Sequence, residues 1–320
     1  NTIFCGKFTV KYGLMKKRIN PLPLRDGIKP SYLVLPHEKR FHGLPLLHFL
    51  CTHFPFVGED NWRRRLNSGS VVSADGVPLN ENTPFKAGEV MYYYRETSRD
   101  SEPRIPFDEK ILHVDEHLIV VDKPHFLPVT PSGRFLHETL LTRLRLRPEL
   151  QHLNVGDITP VHRLDKDTAG VMLLSHNPAV RRHYQAMFQD KAVRKTYEAL
   201  APTRTDLRYP HRISSRLVRG ERFFLTQETD GEPNAHTVIE LFENRGDTSL
   251  YHLYPQTGKK HQLRVHMTGL GIPILNDMYY PVPSDAEEDY SKPLKLLAKS
   301  IEFQDPVSGM TRRFESMQTL

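Results

Sequence analysis

The chain has 320 residues, 38% hydrophobic and 26% charged, the balance of a soluble globular protein long enough for two domains and a sizeable core. No apolar run approaches a membrane span, no charged-then-apolar leader is evident, and Cys5 and Cys51 without a C-x-x-C pair argue against a disulfide framework or a cysteine-ligated zinc; a cytoplasmic, monomeric protein is expected. The net charge of +6 is uneven, because residues 1–96 hold fourteen Lys and Arg against eight Asp and Glu while the remainder is balanced at thirty of each.

Residues 1–40 carry nine basic residues against Asp26 and Glu38, with Pro21, Pro23, Pro30 and Pro36 and little periodicity. They read as a basic arm, extended and packed on something else or partly disordered. Such an arm suits a polyanion, since each Lys or Arg that neutralises a phosphate releases condensed counterions. Leu47, Leu50, Cys51 and Phe54 recur at i, i+3, i+4 and i+7, which predicts a helix ending before Pro55. A second short helix over 59–66 bears Arg63, Arg64 and Arg65. A strand at Val71 and Val72, a hairpin signal at Asp75-Gly76 and a strand over 85–94 complete a small unit at 41–96. Polar residues 97–106, with two prolines, read as a linker.

A second domain is expected over 107–320. Its first strand is predicted at 118–121 and a helix over 136–144. The apolar run 171–174 reads as a buried strand, with a tight turn at Thr168-Ala169-Gly170 before it. Pro178 suits the first position of a helix capped by Asn177, with Val180, Tyr184, Met187 and Phe188 as its apolar stripe. Strands follow over 195–201, 237–242 and 249–255. His261 and His266 are five apart on what reads as a strand, where their side chains would point to opposite faces and share no metal. Residues 284–292 form an acidic surface loop, and 294–314 hold the last strands. Many short strands with few helices indicate an α+β fold with a mixed, mainly antiparallel sheet, preceded by a small α/β unit.

The polar stretch before the 171–174 strand brings His162, Arg163, Asp165 and Asp167 within six residues, and a loop anchored on a buried strand holds such groups in fixed geometry. Taken with Lys195-Thr196-Tyr197 and with Thr257-Gly258-Lys259-Lys260-His261-Gln262-Leu263-Arg264-Val265-His266, the run His162-Arg163-Leu164-Asp165 followed by Thr168-Ala169-Gly170 resembles the motif set of the RluA family of RNA pseudouridine synthases. The resemblance covers roughly 107–315 and extends to the strand ending Asp122-Lys123-Pro124 and to the stretch ending Asn276-Asp277. The two small helices and hairpin ahead of it resemble the S4-type RNA-binding fold.

The resemblance implies isomerisation of a specific uridine to pseudouridine in structured RNA, ribosomal RNA ahead of transfer RNA, with no metal or nucleotide cofactor because the reaction involves no net redox change. It makes Asp165 the essential carboxylate, whether as nucleophile at ribose or base or as promoter of base elimination. Arg264 is then the guanidinium that favours ionised Asp165 and holds it in place. Tyr197 stacks on the base, with a proton shuttle from C5 as an open second role. Arg163 enters the RNA helix where the uridine leaves, offsetting part of an unstacking cost of roughly a few kcal/mol. His162, Lys259, Lys260 and the Arg63, Arg64, Arg65 triplet are the remaining RNA contacts. Three departures stand out: Gly258-Lys259-Lys260-His261 where relatives often read G-R-T-H or G-R-S-H, Asn276 where a Gly often precedes Asp277, and Leu297 where a His is usual. The competing readings are a non-catalytic RNA-binding or ribosome-assembly factor, a hydrolase using Asp165 with Asp167, an Arg163–Asp167 salt bridge, and a merely solvated arginine face.

Overall fold

The structure is a computed structural model that describes residues 21–95 and 102–320. The chain divides into two compact units, one of 1–102 with 132–137 and the other of 103–131 with 138–320. Residues 1–20 of the expected basic arm and residues 96–101, which hold the start of the expected linker, lie outside the described residues. No helix among the described residues is long and apolar enough to cross a membrane.

In the first unit, β1 (Ser31–Val34), β2 (Val71–Ser73) and β3 (Val90–Tyr93) form an antiparallel sheet in the order β1-β3-β2. Helices α1 (Leu46–His53) and α2 (Glu59–Asn67) pack Phe49, Leu50, Trp62 and Leu66 into its core. α1 stops where the sequence demands it, with Pro55 opening the next turn. The arm expected to precede this unit is partly inside it, because β1 is an edge strand of the sheet and Leu35 is a core residue. The Asp75-Gly76 turn forms, but its hairpin shrinks to a single Val72–Pro78 bridge, since Pro78 has no N–H to continue a ladder. The strand expected over 85–94 begins only at Val90, after a turn in which Glu89 N donates to Lys86 O.

The second unit is built on one large sheet. Its elements are β4 (Lys110–Val114), β5 (Leu118–Lys123), α3 (Leu140–Leu146), β6 (Thr159–Pro160), β7 (Ala169–Ser175), α4 (Arg181–Gln189), β8 (Val193–Pro202), β9 (His211–Arg219), β10 (Thr226–Thr229), β11 (Ala235–Asn244), β12 (Thr248–Pro255), α5 (Gln262–Gly269), β13 (Leu296–Gln304) and β14 (Thr311–Glu315). The strand order is β10-β9-β11-β12-β8-β13-β7-β5-β4, with β14 on β13 and β6 on β7. Every pairing is antiparallel except β13 with β7. β5 and β7 are buried along their whole length, as continuous apolar runs should be. One core cluster joins Leu118, Val171, Leu173 and Tyr184 under α4, and a second joins Ala199, Tyr251, Leu253, Leu263 and Met267 under α5.

Several local expectations shift. α3 starts at Leu140 because Thr139 caps it, its hydroxyl accepting from Thr142 N. α4 starts at Arg181, so Asn177 and Pro178 sit in the turn ahead of it, where Asn177 Oδ1 accepts from Ala179 N. β4, β9 and β10 have no counterpart among the predicted strands. The largest correction is α5, which replaces the strand expected around His261 and His266. Leu263, Val265 and Met267 mimic the alternation of a strand, but every residue from Gln262 to Met267 is buried, so no polar face remains to reveal a helical period.

Candidate active site

One line of residues across the sheet creates the site. Gly170 of β7 is in register with Ala298 of β13, which faces Tyr197 of β8. Gly170 has φ 113°, and a Cβ there would lie 2.2 Å from Ala298 O, so glycine is what permits β7 and β13 to pair. The tight turn expected at 168–170 accordingly falls earlier: Thr168 N donates to Asp165 O at 3.3 Å, and Ala169 and Gly170 are already strand.

The loop so formed is pinned from beneath. Lys123, fully buried, donates from Nζ to Pro124 O at 2.9 Å, Leu127 O at 3.0 Å and Lys166 O at 2.9 Å. Burial pushes its ammonium down to about 7, against the opposing charges of Asp167 and Asp165. His162 braces the other side. Its Nε2 accepts from Leu173 N at 3.0 Å, its Nδ1 lies 3.1 Å from Arg163 O, and its ring stacks on Phe188. Burial brings it down to about 4. Both nitrogens are thus used within the protein, while the half-buried side chain also lines the cavity that holds Asp165.

Asp165 lines a cavity of about 470 Å³ together with Arg163, Lys195, Tyr197, His261 and Arg264. Arg163 Nη2 is 3.7 Å from Asp165 Oδ1, and His261 Nε2 is 3.8 Å from Asp165 Oδ2. His261 has left-handed backbone angles at the start of α5, and its Nδ1 is 2.9 Å from the Tyr280 hydroxyl. Burial takes its imidazole down to about 4, with Asp165 opposing, so the ring is neutral near pH 7. The Tyr197 phenol is raised above its usual range by burial and by the charge of Asp165, and among the described residues it makes no hydrogen bond to the protein.

Arg264 reaches the site in a way the sequence did not indicate. Its Nε and Nη2 bind Asp277 at 2.7 and 2.5 Å, an ion pair buried on both sides, and Nη1 lies 3.7 Å from Asp167 Oδ2. No ion pair within 4 Å joins it to Asp165, so its charge acts there at longer range. Burial would lower the guanidinium, but the hydrogen bonds and charge of Asp277 outweigh that and hold it above its ordinary value. Asp167 is tied to Lys166 at 3.0 Å and to Arg264, and it does not line the cavity. Burial would raise its carboxyl, yet Lys166 and Arg264 hold it below the usual range. The Arg163–Asp167 salt bridge is therefore not formed, and the two carboxylates do not converge as a hydrolase would need.

Lys259 is exposed and Lys260 half-buried in the loop before α5. That loop folds on Gln262, whose Oε1 accepts from Thr257 Oγ1 at 2.7 Å and from Lys259 N at 3.1 Å. Burial lowers the Lys260 amine; Asp165 opposes the shift, and Arg163, Arg219 and Arg264 add to it. Asn276 adopts φ 62°, the left-handed angle its position requires. In the first unit, Arg63 is exposed and paired with Glu59 and Glu81, and Arg64 is exposed beside Asn61. Arg65 is buried against Trp62, its guanidinium 5.2 Å from the ring, so it is a packing residue and not the surface contact expected. The supports missed by the sequence reading are Asp277, Lys123 and His261. All lie inside the quoted motifs, but the contacts Asp277–Arg264, Lys123–Lys166 and His261–Tyr280 span 13, 43 and 19 residues, which no local pattern exposes.

The RNA pseudouridylate synthase family matches residues 117–268 of the chain. An uncharacterised RNA pseudouridine synthase of Aquifex aeolicus is 30% identical over 285 residues, covering 83% of this chain and 88% of the relative. The ribosomal large subunit pseudouridine synthase D of Nitrosomonas europaea is 33% identical over 215 residues, 65% of this chain and 61% of its own length. Among solved structures, human RNA pseudouridylate synthase domain containing 4 superposes with a TM-score of 0.51 at 25% identity, over 65% of this chain and 88% of that one. Sequence match, shared sheet and a motif loop seated at the mouth of β7 agree, and the chain belongs to the RluA-type RNA pseudouridine synthases.

Proposed function

We propose that this chain isomerises one uridine of a structured RNA to pseudouridine, with Asp165 as the essential carboxylate and ribosomal RNA as the favoured substrate over transfer RNA. The observation that carries the reading is the meeting of Asp165, Tyr197 and the buried Arg264 guanidinium in one cavity of nucleoside size. The reaction breaks the N1–C1′ bond, forms C5–C1′, releases the C5 proton and protonates N1, so atoms and electrons balance without an oxidant. Asp165 attacks ribose or base, or promotes departure of the base. Tyr197 stacks on the uracil, and its hydroxyl is the candidate shuttle for the proton that leaves C5. Arg163, whose side chain is 56% exposed, is the group we assign to the vacancy left in the RNA stack.

The name of the Nitrosomonas relative supports a large-subunit ribosomal substrate. We assign Lys259, Lys260, Arg63 and Arg64 to the RNA backbone, and read the first unit as an S4-like RNA-binding module ahead of a catalytic domain. The test is incubation with RNA from cells lacking the protein, followed by nucleoside analysis and mapping. Pseudouridine is the expected product; no change would favour a non-catalytic RNA-binding factor, and free uracil a hydrolase. Asp165→Asn should keep fold and RNA affinity and abolish product, since an amide replaces the carboxylate at nearly the same volume. Turnover by that variant would remove Asp165 from its role.

A further inference from the structure

Lys195 stands in the cavity wall with no counter-ion among the described residues. It and Tyr197 are two residues apart on β8, so both side chains leave the same face of the sheet, about 7 Å apart along the strand. Both line the cavity. Lys195 Nζ donates to Thr257 O at 3.2 Å, which leaves two of an ammonium's three donors unused. Among the described residues no carboxylate lies within 4 Å of it. Burial brings the amine down to about 8 with no neighbouring charge to oppose the shift, and the same charge is felt by the His162 ring. Three other cations beside the site differ, Lys166 pairing with Asp167, Arg163 with Asp165 and Arg264 with Asp277, while Lys259, which also lines the cavity, is exposed to solvent.

A desolvated ammonium without a counter-ion costs free energy in the empty protein, and that cost is relieved when an anion enters. Resting on the reading that Tyr197 stacks on a flipped uracil, we propose that Lys195 binds a phosphodiester flanking that uridine. The base then lies on the ring and the backbone anion sits one same-face step along β8. Two phosphates flank a nucleotide, and both present the same chemistry. Lys195 is then an RNA-binding residue, anchoring the flanking phosphate without acting on the reacting atoms.

The experiment uses the full chain and an RNA fragment carrying the mapped uridine, with each flanking phosphodiester in turn replaced by a neutral methylphosphonate. Lys195→Gln should weaken RNA binding roughly ten- to hundredfold, as expected when a charge-assisted hydrogen bond is lost. The slope of log affinity against log salt should fall by a little under one, about 0.7 to 0.9 for one phosphate. The loss should appear in KM and not in the single-turnover rate at saturating RNA. One methylphosphonate should weaken binding by wild type to a similar degree and add nothing in Lys195→Gln, which also identifies the phosphate. Lys195→Met should have an equal or higher Tm, because it removes an unpaired charge. Unchanged affinity and slope in Lys195→Gln would overturn the proposal, as would a lower Tm in Lys195→Met, or a slower single turnover with affinity intact, which would put the ammonium on the base. Absence of pseudouridine with wild-type protein would instead defeat the functional reading, and the methylphosphonate cycle would still report whether the phosphate is bound.

Discussion

Tyr197 combines a ring and a hydroxyl whose demands can be separated. Its ring lines the cavity, and its hydroxyl is raised in pKa by burial and Asp165 and is left without a protein partner among the described residues. A hydroxyl that faces the cavity with no protein partner is available to the substrate. Tyr197→Phe should therefore keep its RNA affinity and lose about two to four orders of magnitude in single-turnover rate, the scale of general acid-base catalysis. Tyr197→Leu should lose affinity as well. A near-normal rate in the Phe variant would reduce Tyr197 to a stacking platform.

At the scale of elements, the site depends on how closely β7 and β13 approach. Gly170 has a backbone angle that other residues rarely adopt, and any Cβ there meets the Ala298 backbone. Gly170→Ala should cost about 3 kcal/mol or more, combining left-handed strain with displacement of β13. Denaturant unfolding would measure that loss. Because Ala298 is in register with Tyr197, the activity of the folded fraction should fall too; a variant with wild-type stability would show that the two strands can separate without consequence. α5 depends on the same sheet. It sets His261 and Arg264 at its first turn, and Asp277 on the following loop holds the guanidinium.

At the scale of the whole molecule, the excess positive charge lies in residues 1–96. Removing residues 1–40 would take away β1 and disturb the first unit's sheet, so the informative deletion is 1–20, which removes Lys7, Lys11, Lys16, Lys17 and Arg18 and no acid. This deletion should weaken RNA binding and reduce the salt slope by up to about four if all five cations meet phosphates. Titration of affinity against salt for the shortened and full chains would decide, and identical slopes would show that these cations do not touch RNA.

The sequence by itself determined the family and supplied the candidate site residues, because those depend on short runs of residue types in a set order: His162 to Asp165, Lys195 to Tyr197, and His261 to Arg264. It also determined the amphipathic or wholly apolar elements α1, α2, β5 and β7, where period and composition carry the information. The tertiary structure alone decided that α5 is a helix, since burial on all sides erases its period. It alone decided that Gly170 serves strand approach and not a turn, that Arg264 is held by Asp277, and that Lys195 has a carbonyl but, among the described residues, no carboxylate as its partner. These follow from contacts between residues far apart in the chain, and a contact of that kind leaves no periodic trace in either of the segments that make it.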